Sequence, residues 1–305
     1  MAADGKSFIT SVGIRDNSIW IHDARGEHQV SSEGSAASPQ FSPDARQLYY
    51  MLSYGERTNS ELWVTDLASG SSNPVLSGYS VRSCGVGQQH YAISQDGRQV
   101  AFSMLDKVGH SDLWIAPTDR GSTSHMIESV GNEDCPFFLP DGDLIFRSGE
   151  GNQNFLYRMK IDGTGRRKIS DWPIFDPFGV SHDGRWILAQ TRGPDATNLY
   201  SVSAFPVEGG PIVTVCVGLC LVIWDRAGKS LYIGLNIGNE SIYALPLQRS
   251  GLPTLPVGGF SATDQLTRMK ATVVPTGIVE SSGTPSLYSY TNSTIRRNLY
   301  RIPVP

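Results

Sequence analysis

Short runs of alternating apolar and polar residues recur along the whole chain, and each follows a turn rich in Asp, Gly and Ser. The run QLYYM at residues 47–51 is one example. Alternation of this kind predicts a β-strand with one packed face. Copies of the turn-and-strand unit begin at residues 3, 42, 94, 139, 181 and 225, and a degenerate seventh copy begins at residue 280.

A second strand, built around one aromatic residue, follows each copy. The seven aromatic residues are Trp20, Trp63, Trp114, Tyr157, Tyr200, Tyr243 and Tyr300. Their successive spacings are 43, 51, 43, 43, 43 and 57 residues, and a period of about 40 to 45 residues is that of a four-stranded propeller blade. The pattern predicts an all-β fold: a single β-propeller of seven blades, each of four antiparallel strands, with six blades as the alternative. We expect each ring to pack between neighbouring sheets, where burying it is worth about 2 to 3 kcal/mol.

Sustained helical spacing of apolar residues is missing from the sequence, and the best candidate, around Thr263 and Leu266, is one turn long. We therefore expect residues 1–305 to form one propeller domain. The repeats supply three strands at each end and five full blades between them, two strands short of a seven-bladed ring. This count predicts either a propeller cut from a longer chain or a ring that closes loosely, without strand exchange.

The turns have a specific chemistry. Proline presets φ, the aspartate side chain accepts hydrogen bonds from nearby amides, and glycine takes a positive φ. The copy FSPDARQLYYM, which begins at Phe41, resembles the Ser-Pro-Asp-Gly turn of the TolB-type, WD-like propeller repeat, and the resemblance covers nearly the whole chain. Gln95 and His182 replace the proline, Ala45 replaces the glycine and Ala227 replaces the aspartate. We interpret these departures as drift in a structural element.

The resemblance implies a binding scaffold rather than an enzyme. Propellers of this type occur in periplasmic proteins, in the non-catalytic part of propeller-capped peptidases, and appended to bacterial protein kinases or regulators. The tail RRNLYRIPVP is most similar to the last group. The resemblance favours a periplasmic or extracytoplasmic location, and the N-terminus MAADGKSFIT lacks the apolar core of a signal peptide.

Composition narrows the range of partners. The formal net charge is −4, and the basic runs at residues 166–168 and 296–297 are short, so we expect no nucleic acid partner. The chain has no apolar run of about 18 residues, so we expect no membrane insertion, and we expect a monomer without cofactor or metal.

The four cysteines are Cys84, Cys135, Cys216 and Cys220. Buried free thiols, a disulfide and a metal site are all compatible with their spacing, and we expect free thiols.

Three residues stand out as candidates for a site at the mouth of the central channel. His90 leads into an innermost strand, and Asp134 and Asp176 fall where two other innermost strands begin. A channel-facing histidine is a potential ligand or proton carrier, and two converging carboxylates are a potential acid–base pair. The alternatives are a histidine with satisfied hydrogen bonds and two carboxylates that each cap their own turn.

The loops that join the second and third strands of each blade are polar and of unequal length, and function often lies on such loops. From these loops we select Arg15, Arg57, Lys107 and Arg192 as contacts for a protein or peptide partner. This reading predicts a non-catalytic sensor or interaction module of a larger bacterial protein. A propeller lyase or glycosidase at the channel mouth is the alternative, and a structural cap for another domain is a third possibility. The sequence contains no G-x-S-x-G or H-E-x-x-H motif.

Overall fold

The computed structural model describes residues 7–31, 34–54, 60–82, 84, 90–119, 124–127, 131–195, 197, 199–235, 241–274, 279–284 and 286–303. These residues form six four-stranded antiparallel sheets. The chain is therefore a single β-propeller with six blades. The prediction of seven blades is wrong, and the six-bladed alternative is confirmed.

The strands are numbered in chain order. The first two are β1 (Ser7–Asp23) and β2 (Gly26–Gln29). Blade 1 contains β3 (Ser35–Phe41), β4 (Gln47–Ser53), β5 (Ser60–Asp66) and β6 (Ser72–Pro74). Blade 2 contains β7 (Tyr91–Ile93), β8 (Gln99–Leu105), β9 (Ser111–Pro117) and β10 (His125–Met126). Blade 3 contains β11 (Glu133–Phe138), β12 (Leu144–Glu150), β13 (Gln153–Met159) and β14 (Arg167–Lys168).

Blade 4 contains β15 (Pro177–Val180), β16 (Trp186–Arg192), β17 (Tyr200–Pro206) and β18 (Val213–Val217). Blade 5 contains β19 (Cys220–Trp224), β20 (Ser230–Leu235), β21 (Ile242–Pro246) and β22 (Thr272–Val274). The short helix α1 (Thr263–Arg268) lies between β21 and β22, where the sequence predicts one helical turn. The chain ends with β23 (Val279–Thr284) and β24 (Leu287–Pro303).

Strand exchange between the two ends of the chain closes the ring. The closing blade has the strand order β2-β1-β24-β23, so each terminus supplies two of its four strands. The first and seventh sequence repeats are thus two halves of one blade, which is why the repeat count exceeds the blade count. The segments GIRDNS and TNSTIRR are not loops, because they pair with each other inside β1 and β24, with Arg15 opposite Ile295.

The core lies between neighbouring sheets. Each of five apolar clusters combines side chains of two adjacent blades, as where Leu62 of blade 1 packs in one cluster with Phe102 of blade 2. Leu62, Leu113 and Leu156, each next to a repeat aromatic, are fully buried. Such burial contributes about 1.5 to 3 kcal/mol for each side chain.

The repeat aromatics have a smaller share in this core than the sequence predicts. Tyr157 is buried, and Trp63, Trp114 and Tyr243 are half-buried against the clusters between blades. Tyr300 is 48% exposed, so the prediction is wrong for that ring. The reason is its position in the part of β24 that extends beyond the closing blade.

The recurring turns are stabilised by their own side chains. In blade 1 the Ser42 hydroxyl donates to Asp44 at 2.6 Å and accepts from the Gln47 amide at 3.0 Å, and blades 2 and 4 repeat this arrangement. Successive turns also touch around the ring. A Cβ added at Gly184 would meet the Pro140 ring of the preceding turn at 2.7 Å, so this turn position requires glycine.

The cysteines form two disulfides, Cys84–Cys135 and Cys216–Cys220, so the expectation of free thiols is wrong. Sequence spacing could not show this, because Cys84 and Cys135 are 51 residues apart and meet only through the packing of blades 2 and 3. In the described part of the chain, no helix has the length and apolar character needed to cross a membrane.

Candidate functional site

The antiparallel strand order defines two ends of the propeller. At one end lie the loops between second and third strands and the connections from one blade to the next; we call this end the loop face. The Ser-Pro-Asp-Gly turns lie at the opposite end, which we call the turn face. Lys107 and Arg192 are exposed on the loop face, as the sequence predicts. Arg15 lies in β1 instead of a loop, and Arg57 falls outside the described residues.

Asp134 and Asp176 come together at the loop face, joined by an arginine that the sequence did not single out. Arg147 donates from Nε and Nη2 to the two carboxylate oxygens of Asp134, at 2.7 and 2.8 Å. Its Nη1 donates to Asp176 Oδ1 at 2.5 Å and to the Phe175 carbonyl at 2.7 Å. Arg82 approaches Asp134 at 3.6 Å. We call these four charged residues, Arg82, Asp134, Arg147 and Asp176, the Arg147 cluster.

The Arg147 cluster is largely buried, since the side chains of Asp134, Asp176 and Arg147 are only 6%, 11% and 14% exposed. Both carboxylates accept hydrogen bonds from one guanidinium, so their oxygens are already engaged within the protein. This geometry suits a clamp between blades 3 and 4 better than an acid–base pair. The signal in the sequence was a charged residue inside the apolar run LIFRS.

His90 lies beside the same cluster but makes a structural contact. Its Nδ1 accepts a hydrogen bond from the Cys84 amide at 2.7 Å, and the disulfide partner of Cys84 is Cys135, next to Asp134. Burial lowers the pKa of His90 to about 4, so the ring is neutral near pH 7. A neutral imidazole that already accepts a hydrogen bond on Nδ1 is a poor proton carrier.

The loop face also carries exposed apolar side chains, which the sequence pattern did not predict. They come from blades 1, 2 and 4 and from two connections between blades: Tyr54, Leu105, Val108, Trp172, Phe175, Leu199 and Leu219. Their exposed fractions run from 40% for Tyr54 to 77% for Val108. Exposed apolar side chains grouped at one end of a protein are typical of a protein interaction site.

A two-stranded ribbon extends beyond the closing blade at the loop face. β1 and β24 pair residue by residue from Ser7 with Pro303 to His22 with Tyr288, whereas β2 and β23 flank only the blade portion. Residues 7–16 and 294–303 form this ribbon, which is about 30 Å long at about 3.4 Å per residue. Large apolar side chains on it are exposed, including Leu299 at 77% and Ile302 at 50%.

The central channel contains a cavity of about 500 Å³ at the turn face. Residues of all six blades line it, and none of His90, Asp134 and Asp176 is among them. β-Bulges in three innermost strands shape the channel. Two of them are fixed by the next blade: Tyr91 donates to the Ser38 carbonyl at 2.9 Å, and the Trp224 indole donates to the Gly179 carbonyl at 3.1 Å.

Two charged residues face each other in this cavity. Arg226 Nη1 lies 3.7 Å from Glu280 Oε1, and their side chains are 23% and 24% exposed. Burial raises the pKa of Glu280 to about 7, against the attraction of Arg226, and the nearby Asp225 raises it further. Across the described residues, no three His, Cys, Asp or Glu side chains form a group that could hold a metal ion.

Six antiparallel blades and closure by strand exchange between the termini define a single six-bladed β-propeller. The profile of the TolB beta propeller domain family matches residues 8–204. The chain therefore belongs to this family.

Individual relatives agree with the fold. A putative TolB from Agrobacterium tumefaciens superposes with a TM-score of 0.64 at 17% identity, covering 92% of this chain and 99% of the other. An oligogalacturonate lyase from Vibrio parahaemolyticus superposes with a TM-score of 0.56 at 14% identity, covering 94% and 86%. Tricorn protease homolog 1 of Streptomyces coelicolor is 25% identical over 125 residues, which are 40% of this chain and 11% of that protein. The chain thus spans about a ninth of that curated relative, and the structural likenesses show the fold alone.

Proposed function

We propose that this propeller binds a protein or peptide partner on its loop face, as a sensor or interaction module of a larger bacterial protein. The observation that carries the proposal is the concentration of exposed apolar side chains at that end of the molecule. Water contact with these side chains is unfavourable, and a partner that covers them gains about 25 cal/mol for each Å² removed from solvent. Lys107 and Arg192 lie at the same end and would form a polar rim.

The ribbon supports a partner of macromolecular size. A two-stranded ribbon without a packed face is marginally stable in water. Phe8, Ile295 and Tyr300 are each close to half exposed along it, so it offers an apolar surface next to the loop face. A partner seated on the loop face could contact the ribbon as well, which would enlarge the interface and order the ribbon.

We propose an extracytoplasmic location for this interaction. The two disulfides support it, because disulfides persist in oxidising compartments such as the periplasm and are rare in the bacterial cytoplasm. A partner in the same compartment follows from this proposal.

A channel-mouth lyase or glycosidase is the second candidate function, favoured by the superposition on an oligogalacturonate lyase over most of the chain. The residues selected from the sequence for that chemistry give it little support. Asp134 and Asp176 are both held by Arg147, and His90 is half-buried and neutral near pH 7.

Photo-crosslinking tests the proposal directly. A photoreactive phenylalanine analogue is introduced at Val108 or Leu199 on the loop face, and at Val257, which is fully exposed in the segment between β21 and β22, as the matched control. In the cells that produce the protein, we expect both loop-face positions to give the same protein adduct and the control position to lack it. Adducts from Val257 alone, or no adduct from either loop-face position, would contradict the proposal.

The purified adduct partner then allows a quantitative test. Leu199→Ser should weaken its binding by about tenfold, equivalent to about 1.4 kcal/mol, whereas Val257→Ser should leave it unchanged. Incubation of the protein with oligogalacturonate tests the second candidate. Formation of an unsaturated product that Asp134→Asn abolishes would favour the lyase over the binding module.

A further inference from the structure

The turn-face cavity has the features of a small-molecule site, and it is separate from the loop face. Its volume of about 500 Å³ falls within the usual range for ligand pockets. One part of the lining is apolar, with Ile93, Phe137 and Ile223 among the lining residues. Mostly apolar walls with a few convergent polar groups are typical of such sites.

The polar groups in the cavity have unused hydrogen-bonding capacity. Arg226 Nη1 and Glu280 Oε1 are 3.7 Å apart, beyond hydrogen-bond distance, so the two side chains do not form a hydrogen bond with each other. The side-chain oxygen of Gln40, which also lines the cavity, is buried and has no hydrogen-bond partner. Leaving such a buried acceptor unsatisfied is unfavourable, and a ligand donor would satisfy it.

The opposite charges of the pair restrict the ligand. A purely anionic ligand on Arg226 would face the Glu280 carboxylate, and a purely cationic ligand on Glu280 would face the Arg226 guanidinium. A ligand whose carboxylate and ammonium groups are attached to the same carbon pairs with both residues, and its binding leaves the net charge of the site unchanged. Gln40 offers a further acceptor for an ammonium group, and the apolar lining offers a place for an apolar side chain.

We propose that this cavity binds a small zwitterion of the α-amino acid class, with its carboxylate on Arg226 and its ammonium group on Glu280 and the side-chain oxygen of Gln40. The site is reached from the turn face, so it does not compete with a partner on the loop face. It therefore stands independently of the proposed function.

The ionisation of Glu280 gives the proposal a distinctive signature. The titratable groups around it are Arg226, which favours the carboxylate, Asp225 and Tyr91, which do not, and His182, which lines the same cavity. With a pKa of about 7, Glu280 is partly protonated at neutral pH. An arriving ammonium group favours the carboxylate, so zwitterion binding should release protons. An anionic ligand would instead draw protons onto Glu280.

Calorimetry on the whole domain tests this with three probes: L-leucine, N-acetyl-L-leucine and L-leucinamide. We expect L-leucine to bind at millimolar concentration, and each derivative, which lacks one charge, to bind about tenfold more weakly. Repeating the titration at pH 7 in two buffers of different ionisation enthalpy measures the proton change. We expect proton release with the wild-type protein and none with Glu280→Gln.

Substitutions distinguish an effect on ligand binding from an effect on folding. Arg226→Gln should weaken L-leucine binding at least about tenfold, and Arg98→Gln, an exposed arginine of the blade 2 turn outside the cavity lining, should not. Gln40→Met keeps both charges and should weaken binding by a smaller factor, which covers the case in which Arg226→Gln fails to fold. The proposal is overturned if L-leucine, L-valine and L-phenylalanine all fail to bind, if Arg226→Gln binds like the wild type, or if N-acetyl-L-leucine binds tightly with proton uptake.

Discussion

Replacing Arg147 by methionine removes the cation that holds two buried carboxylates together. Arg147 makes three hydrogen bonds to Asp134 and Asp176 with only 14% of its side chain exposed. Breaking a buried ion pair from one side costs about 3 to 5 kcal/mol, because a buried charge is left without its partner. Arg82 remains 3.6 Å from Asp134 and offsets part of this loss. We therefore expect Arg147→Met to lower the free energy of unfolding by about 3 kcal/mol at pH 7.

Urea denaturation of the wild type and the variants at pH 7, followed by circular dichroism, measures this effect and its origin. Arg25→Met is the control, because it breaks an exposed pair with Asp23 and should change the free energy of unfolding little. Adding Asp134→Asn and Asp176→Asn to Arg147→Met removes the two uncompensated charges and should recover about 2 kcal/mol. A cost for Arg147→Met no larger than that of Arg25→Met, or no recovery in the triple variant, would contradict the role assigned to Arg147.

Two further predictions concern the channel and the turns. Burial raises the pKa of Glu280 from 4.5 to about 7, so between these values the folded protein holds more protons than the unfolded chain and its stability falls as pH rises. Glu280→Gln removes this loss and should gain about 2 to 3 kcal/mol over the wild type between pH 4.5 and pH 8, at about 1.4 kcal/mol per pH unit; a pH-independent difference would argue against it. Gly184→Ala should lower the free energy of unfolding by about 1 to 3 kcal/mol more than Gly142→Ala, which changes the equivalent turn position of blade 3. Both glycines have a positive φ, but only an added Cβ at Gly184 meets a neighbour, Pro140. Equal melting temperatures for the two variants would show that the contact with Pro140 does not contribute to the cost.

The propeller architecture could be read from the sequence because each blade encodes the same local signals. The Ser42 and Asp44 side chains stabilise their turn through contacts within five residues, and that local chemistry recurs with a visible period. Ring closure could not be read in the same way. Only the pairing of β1 with β24, distant in sequence, shows that the first and last repeats share one blade.

The candidate site was predictable only in part. Asp134 and Asp176 could be placed near each other, because equivalent positions in adjacent blades converge. The role of Arg147 as their bridging partner depends on the direction of its side chain, which the repeat pattern of the sequence does not show. Arg226 and Glu280 were missed because each occupies a turn or strand position where the neighbouring repeats carry a different residue, and only the closed ring brings them together.

Crosslinking across β1 and β24 tests the six-bladed closure, on which the loop face, the ribbon and the central cavity all depend. Cysteines are introduced at the facing positions Asn17 and Ser293, or at the neighbouring pair Ser18 and Asn292. Adjacent antiparallel pairs alternate between hydrogen-bonded and non-hydrogen-bonded sites, and the latter bring side chains closer, so one of the two pairs is well placed for a disulfide. We expect at least one oxidised variant to yield a disulfide-linked peptide that joins β1 to β24, identified by mass spectrometry. Free thiols in both oxidised variants would contradict the six-bladed ring.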